Sequence, residues 1–121
     1  RPRLLVVDDS PLLARAYRRA LGEAFELTFA ASVGEAVRCL QAPGLFDLVV
    51  CDMHLPDGTG VQVHQASVAL DPTQADCFVF LSGGAFDGEE GAYLERLDNP
   101  RLHKNMSLER LRSTLAGLLS G

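Results

Sequence analysis

Short unbroken apolar runs alternate along the chain with longer stretches in which apolar residues recur every three or four positions. The runs are Leu4-Leu5-Val6-Val7, Leu48-Val49-Val50-Cys51 and Cys77-Phe78-Val79-Phe80-Leu81, with weaker strand-like stretches from Phe25 to Ala30 and Arg101 to His103. Apolar runs without alternation predict strands covered on both faces. The stretches between them predict helices, punctuated by caps. Ser10-Pro11 opens a helix running to about Gly22, with Leu12, Leu13, Ala16, Tyr17, Ala20 and Leu21 as its apolar face. Ser32 with Glu35 forms a capping box for a helix that buries Val33, Ala36, Val37 and Leu40 and ends at Pro43-Gly44. Gly58 to Leu70 reads as a third helix with Val61, Gln65 and Val68 along one edge, closed by Asp71-Pro72. Phe86 to Leu97 is the weakest helix, since Gly88 and Gly91 each cost about 1 kcal/mol against Ala. Ser107 caps a last helix whose Leu108, Leu111, Leu115 and Leu118 face the sheet.

Five strands alternating with five helices, without repeat or linker, imply right-handed crossovers and a parallel sheet with helices on both faces. The expected fold is therefore α/β and doubly wound: a five-stranded flavodoxin-like sheet of order 2-1-3-4-5, with its switch point between the first and third strands. At 121 residues, the chain 1–121 is expected to be a single domain. It begins without Met at a strand, and reads as a fragment of a longer protein.

Charge and composition narrow the partners. The net charge of −5 leaves no basic excess to displace counterions, so direct nucleic-acid binding is not expected. The apolar runs are strand-length, far short of the roughly 20 residues that span a bilayer, and no signal peptide is visible. No membrane contact is expected. Cys39, Cys51 and Cys77 are scattered without metal-ligand spacing. Cys51 and Cys77, in or beside strand runs, read as small buried hydrophobes in a reducing cytoplasm, with redox sensing by Cys39 on its helix as a minor alternative.

The chemistry lies where the strands stop. Their C-terminal ends carry Asp8-Asp9, Asp52, Ser82 and Lys104, and open α/β sheets hold ligands outside those ends at the switch point. A lone Asp there is usually a helix cap or a solvated loop residue. Four such ends converging on one crevice are harder to dismiss. Three carboxylates in one crevice repel each other, and a divalent cation resolves the conflict; all-oxygen ligation suits Mg²⁺. An ammonium opposite that metal would cradle a dianionic phosphoryl group, with Ser82 donating to another of its oxygens. Asp52, central, is the carboxylate placed to act as nucleophile.

The residues Val6-Val7-Asp8-Asp9-Ser10, Asp52 with Leu55-Pro56-Asp57-Gly58-Thr59-Gly60, Leu81-Ser82-Gly83, and Lys104 together resemble the response regulator receiver domain of two-component signalling, over essentially the whole chain. The resemblance implies that Asp52 takes a phosphoryl group from the phosphohistidine of a histidine kinase or histidine phosphotransfer domain. It implies Mg²⁺ held by Asp9, Asp52 and the His54 backbone carbonyl, with Asp8 acting through water. Lys104 would pair with the phosphoryl group, Ser82 would be the switch hydroxyl, and Gly83 matches the small residue beside the phosphoryl entrance. The run Asn99-Pro100-Arg101-Leu102-His103-Lys104 is most similar to receivers of hybrid sensor histidine kinases. No stand-alone enzyme is implied beyond self-phosphotransfer and autodephosphorylation, and homodimerisation stays open.

Two other functions compete. A Mg²⁺-dependent phosphohydrolase using Asp52 for turnover would need a cap segment that no loop here is long enough to supply. A non-phosphorylated, partner-binding receiver would lack a carboxylate or the lysine, and none is missing. His54, His64 and His103 share no ligand spacing, and packing or surface roles are favoured for them. Arg15, Arg18 and Arg19 read as a solvated face, with donor docking as the alternative.

The chain departs from the family at Arg101, where a rotating Tyr or Phe is common, and at Asn105, where proline follows the lysine through a cis bond. How the signal leaves the domain therefore turns on Arg101 and Asn105. Before Asn, cis costs about 3–4 kcal/mol, which favours trans. The fixed strand and helix on either side leave the loop little slack and favour cis. The expectation is cis, with Asn105→Pro stabilising.

Overall fold

The structure, a computed structural model, describes residues 1–120. Five strands form the sheet: β1 (Arg3–Val7), β2 (Glu26–Ala30), β3 (Leu48–Asp52), β6 (Phe78–Ser82) and β7 (Arg101–His103). The helices are α1 (Pro11–Leu21), α2 (Val33–Gln41), α3 (Gly60–Leu70), a single turn α4 (Pro72–Ala75), α5 (Gly88–Glu95) and α6 (Leu108–Ser120). A two-stranded hairpin, β4 (His54–Leu55) with β5 (Gly58–Thr59), lies between β3 and α3. The sheet order is β2-β1-β3-β6-β7 with every pair parallel, which is the expected 2-1-3-4-5 winding. No helix among the described residues is long and apolar enough to cross a membrane.

Parallel pairing buries both faces of the central strands, and the apolar runs follow from that. Leu5, Val7, Val49, Cys51, Phe78 and Phe80 point into one core layer, and Leu4, Val6, Leu48, Val50, Val79 and Leu81 into the other. The helices complete both layers. Tyr17 and Leu21 of α1 and Leu111 and Leu115 of α6 cover one face; Ala36 of α2, Val63 of α3 and Leu94 of α5 cover the other. Cys51 is fully buried, and burial, with Asp52 and Asp8 nearby, pushes its thiol pKa up, so it remains a packed thiol. Cys39 and Cys77 are half-buried.

Several boundaries and faces differ from expectation. Leu12 is 75% exposed. At about 100° per residue it sits roughly 140° around α1 from Tyr17, off the buried stripe. Leu118 is exposed in the last turn of α6. The third helix starts at Gly60, not Gly58, because Gly58 and Thr59 pair with Leu55 and His54. Thr59 is its N-cap: its hydroxyl accepts from the Gln62 amide at 3.4 Å, and the Gln62 side chain accepts from the Thr59 amide at 2.9 Å. Its buried face is Gly60, Val63, His64 and Ser67, rotated away from the expected Val61–Gln65–Val68 edge. Gly60 explains the rotation, since its missing side chain lets the helix start against the β3 backbone. His64 fills the gap toward α5, sharing a 2.7 Å hydrogen bond through Nδ1 with the Tyr93 hydroxyl and meeting Phe78 edge-on. Its role is packing.

Candidate functional site

The site is assembled by strand ends. Asp8 follows β1, and its amide donates to the Ala30 carbonyl at 2.9 Å, fixing it beside β2. Its Oδ1 accepts from the Ser10 amide at 2.9 Å, while the Ser10 hydroxyl accepts from the Leu13 amide as the N-cap of α1. Asp9, next in the chain, is exposed. Asp52 closes β3 and is 4% exposed, with Oδ1 accepting from the His54 amide at 3.2 Å. The Lys104 amide donates to the Ser82 carbonyl at 2.9 Å, continuing the β7 ladder and carrying its side chain over the crevice. There the ammonium donates to Asp52 Oδ2 at 2.7 Å and lies 2.9 Å from Asp8 Oδ2.

Asp8, Asp9, Asp52 and Lys104 thus meet, as the strand ends required. Ser82 is buried at the end of β6, one residue past the Leu81–Asp52 register pair, and its Oγ accepts from the Gly84 amide at 3.2 Å. His54 is exposed on β4, and a small cavity of about 50 Å³ opens between His54, Met53, Ser82 and Phe86. Gly83 borders open space, with nothing within 4 Å of where a Cβ would stand. Arg101 is exposed on β7 and lies outside the crevice, opposite Phe80 in the ladder.

The electrostatics fit a divalent cation. Asp8, Asp9 and Asp52 each offer a carboxylate oxygen, all within 4.8 Å of one another. Lys104 is the ammonium paired with them, so the carboxylates outnumber it. Asp8 Oδ2 is buried, and the Lys104 ammonium 2.9 Å away is the charge that faces it. A hard, oxygen-only donor set of this kind suits Mg²⁺. Burial works against the Lys104 ammonium, but the bonds to Asp52 and Asp8 and their charges outweigh it and raise its pKa above the usual lysine value. The ammonium is fixed in its charged form. Tyr17, which lines a small cavity with Lys104, has its pKa pushed up to about 12 by burial and then by Asp8, so its hydroxyl stays neutral.

Around Lys104 the structure corrects one expectation. No cis peptide bond occurs among the described residues, so Lys104–Asn105 is trans. The Met106 amide donates to the His103 carbonyl at 3.2 Å, closing a four-residue turn with Lys104 and Asn105 at its centre. No non-glycine residue has positive φ, which identifies a type I turn. That turn reverses the chain without a cis bond, and the supposed lack of slack disappears. It also inverts the expected effect of proline. At the third position of a type I turn proline forces the preceding residue out of its helical conformation. Asn105→Pro is expected to lower stability by more than about 1 kcal/mol in chemical denaturation. A variant as stable as the parent would contradict this turn.

Two contacts here go beyond the sequence reading. Gly60, quoted above only as part of the Asp52 motif, lies against the Asp52 backbone carbonyl. His103, expected in a packing or surface role, stacks edge-on with Phe86, centroids 5.6 Å apart, linking β7 to the segment after Ser82. No spacing signal announces such a pair.

Comparisons with known proteins bear on the family and the fold. A family model described as the response regulator receiver domain matches residues 4–116. No curated protein matches the chain. Among solved structures, the non-phosphorylated HemR receiver domain of Leptospira biflexa is 28% identical with a TM-score of 0.83, covering 100% of this chain and 96% of that one. A CheY-like receiver domain protein from Methanospirillum hungatei is 23% identical with a TM-score of 0.84, covering 98% and 94%. The receiver domain of a sensor histidine kinase from Pseudomonas aeruginosa PAO1 is 20% identical with a TM-score of 0.84, covering 99% and 98%, and that structure has magnesium coordinated in its active-site cleft. The last two likenesses speak for the fold.

Proposed function

Since the chain belongs to the response regulator receiver domains of two-component signalling, we propose that Asp52 is its phosphoacceptor, taking a phosphoryl group from the phosphohistidine of a histidine kinase or histidine phosphotransfer domain. The observation that carries this is the Lys104 ammonium, 2.7 Å from Asp52 and 2.9 Å from Asp8 at the switch point of the sheet. In the transfer, an Asp52 carboxylate oxygen forms the new P–O bond while the P–N bond to imidazole breaks. The electron pair leaves with the imidazole nitrogen, which is then protonated by solvent.

Each neighbour has a part in that step. Lys104 offsets the charge of the phosphoryl oxygens and holds Asp52 in line. Ser82 sits at the adjacent strand end, where its Oγ accepts from the Gly84 amide and its hydroxyl proton is available to a phosphoryl oxygen. Open space at Gly83 admits the donor. Asp9, Asp52 and the His54 carbonyl would hold Mg²⁺, with Asp8 through water; bound there, the cation supplies the remaining charge compensation on the phosphoryl oxygens. The run Asn99 to Lys104 supports a parent chain of the hybrid sensor histidine kinase kind.

Incubation with acetyl phosphate and Mg²⁺, followed by intact mass, tests the proposal. One phosphoryl adduct is expected, absent when EDTA replaces the metal. Consumption of acetyl phosphate with no adduct at any time would favour a phosphohydrolase, and neither adduct nor consumption would leave a partner-binding domain.

A further inference from the structure

The hairpin after Asp52 carries His54 yet has only two residues per strand, far too short to hold its own shape in water. Its base is tied in by the Met53 amide to the Leu81 carbonyl at 3.0 Å and the Gly60 amide to the Met53 carbonyl at 3.1 Å. Its tip, Pro56-Asp57, is held otherwise. The Asp57 carboxylate reaches 23 and 24 residues back along the chain, Oδ1 accepting from the Val33 amide at 2.7 Å and Oδ2 from the Gly34 amide at 3.0 Å. These are the first two residues of α2, whose N-terminus already has a local cap: the Ser32 hydroxyl accepts from the Glu35 amide at 3.1 Å. Asp57 is therefore a second, long-range cap. It gains two charge-assisted hydrogen bonds and the positive end of the helix dipole. The two amides hold its carboxyl below the usual carboxylate range.

What the cap joins gives it a function. The segment leading into α2 follows β2, whose terminal Ala30 carbonyl takes the Asp8 amide. One end of the Asp57 clamp is thus the first turn of α2, just past the Ala30 carbonyl that takes the Asp8 amide, and the other is the hairpin that carries His54. We propose that Asp57 is a positioning residue for the metal site, locking the His54 hairpin against the wall that holds Asp8. This rests on the Mg²⁺ assignment above.

The test compares Asp57→Ala and Asp57→Asn with Ser32→Ala, which weakens the same helix start without releasing the hairpin. Two quantities are read: hydrogen exchange of the amides of residues 54–60 without metal, and Mg²⁺ affinity by calorimetry. Asp57→Ala is expected to speed hairpin exchange and to weaken Mg²⁺ binding about tenfold, the low end for loss of a contact supporting a metal ligand. Asp57→Asn, which keeps one acceptor oxygen, should fall between it and the parent. Ser32→Ala should leave the Mg²⁺ affinity unchanged. Parent-like Mg²⁺ affinity in Asp57→Ala, or an equal loss in Ser32→Ala, would overturn the proposal. Failure of the unaltered protein to bind Mg²⁺ would overturn the metal assignment itself, and the positioning role with it.

Discussion

Asp52→Asn yields no phosphoryl adduct with acetyl phosphate and Mg²⁺, while Lys104→Ala still accepts phosphate but about 10²–10³-fold more slowly, the usual loss when one preorganised charge-stabilising group is removed. The two effects differ because the groups differ in kind. Asp52 supplies the atom that bonds to phosphorus, and an amide in its place is no nucleophile. Lys104 supplies field and alignment, through contacts of 2.7 Å to Asp52 and 2.9 Å to Asp8, and solvent and the metal can replace part of that. Asn is close in shape to Asp, and its Oδ1 can still accept from the His54 amide, so the far-UV circular dichroism of Asp52→Asn should match the parent. Uptake by Asp52→Asn at the parent rate would move the acceptor elsewhere. Asp9, exposed and one residue away from Asp8, is the carboxylate to examine next in that event.

Strand order and the Asp8–Asp9–Asp52–Lys104 cluster were legible because they rest on strong, local signals. Doubly buried strands must be apolar throughout, and a carboxylate that ends such a run has nowhere to go but the sheet's C-terminal edge. The hairpin of residues 54–59 was not legible. Its pairs are only His54–Thr59 and Leu55–Gly58, and its tip is held by Asp57 bonding to amides more than twenty residues away, which no window of sequence displays. The face of α3 was misread for a related reason. Counting apolar side chains picks Val61 and Val68, but close backbone approach at Gly60 sets the rotation and turns Val63, His64 and Ser67 to the interior. At Lys104–Asn105 the resemblance supplied a cis bond that proline makes affordable, and with Asn an ordinary type I turn does the same job.

Gly60 gives the second large effect. An ideal Cβ at Gly60 would stand 2.7 Å from the Asp52 carbonyl oxygen and 3.3 Å from both Cys51 Sγ and Met53 Cα. All three belong to β3 or its immediate continuation, in a fully buried stretch, so no flexible side chain can move aside. Ordinarily Gly→Ala inside a helix gains about 1 kcal/mol of propensity. Here overpacking against backbone costs about 1–3 kcal/mol, and the expected net result is a loss of stability. The strand that must yield is the one that carries Asp52, so its carboxylate shifts relative to Lys104 and Asp8. A misplacement near 1 Å can slow a positioned reaction about 10²-fold, and Gly60→Ala is expected to slow phosphoryl uptake toward that extent. Gly117→Ala is the matched control: Gly117 is exposed on α6 with nothing within 4 Å of its Cβ direction, so the same change there should stabilise by up to about 1 kcal/mol and leave uptake untouched. Denaturation midpoints of the two variants, measured side by side, should therefore move in opposite senses, and only Gly60→Ala should lose adduct-formation rate. If Gly60→Ala proved as stable and as fast as the parent, the close approach of α3 to Asp52 would not be what sets the position of the acceptor.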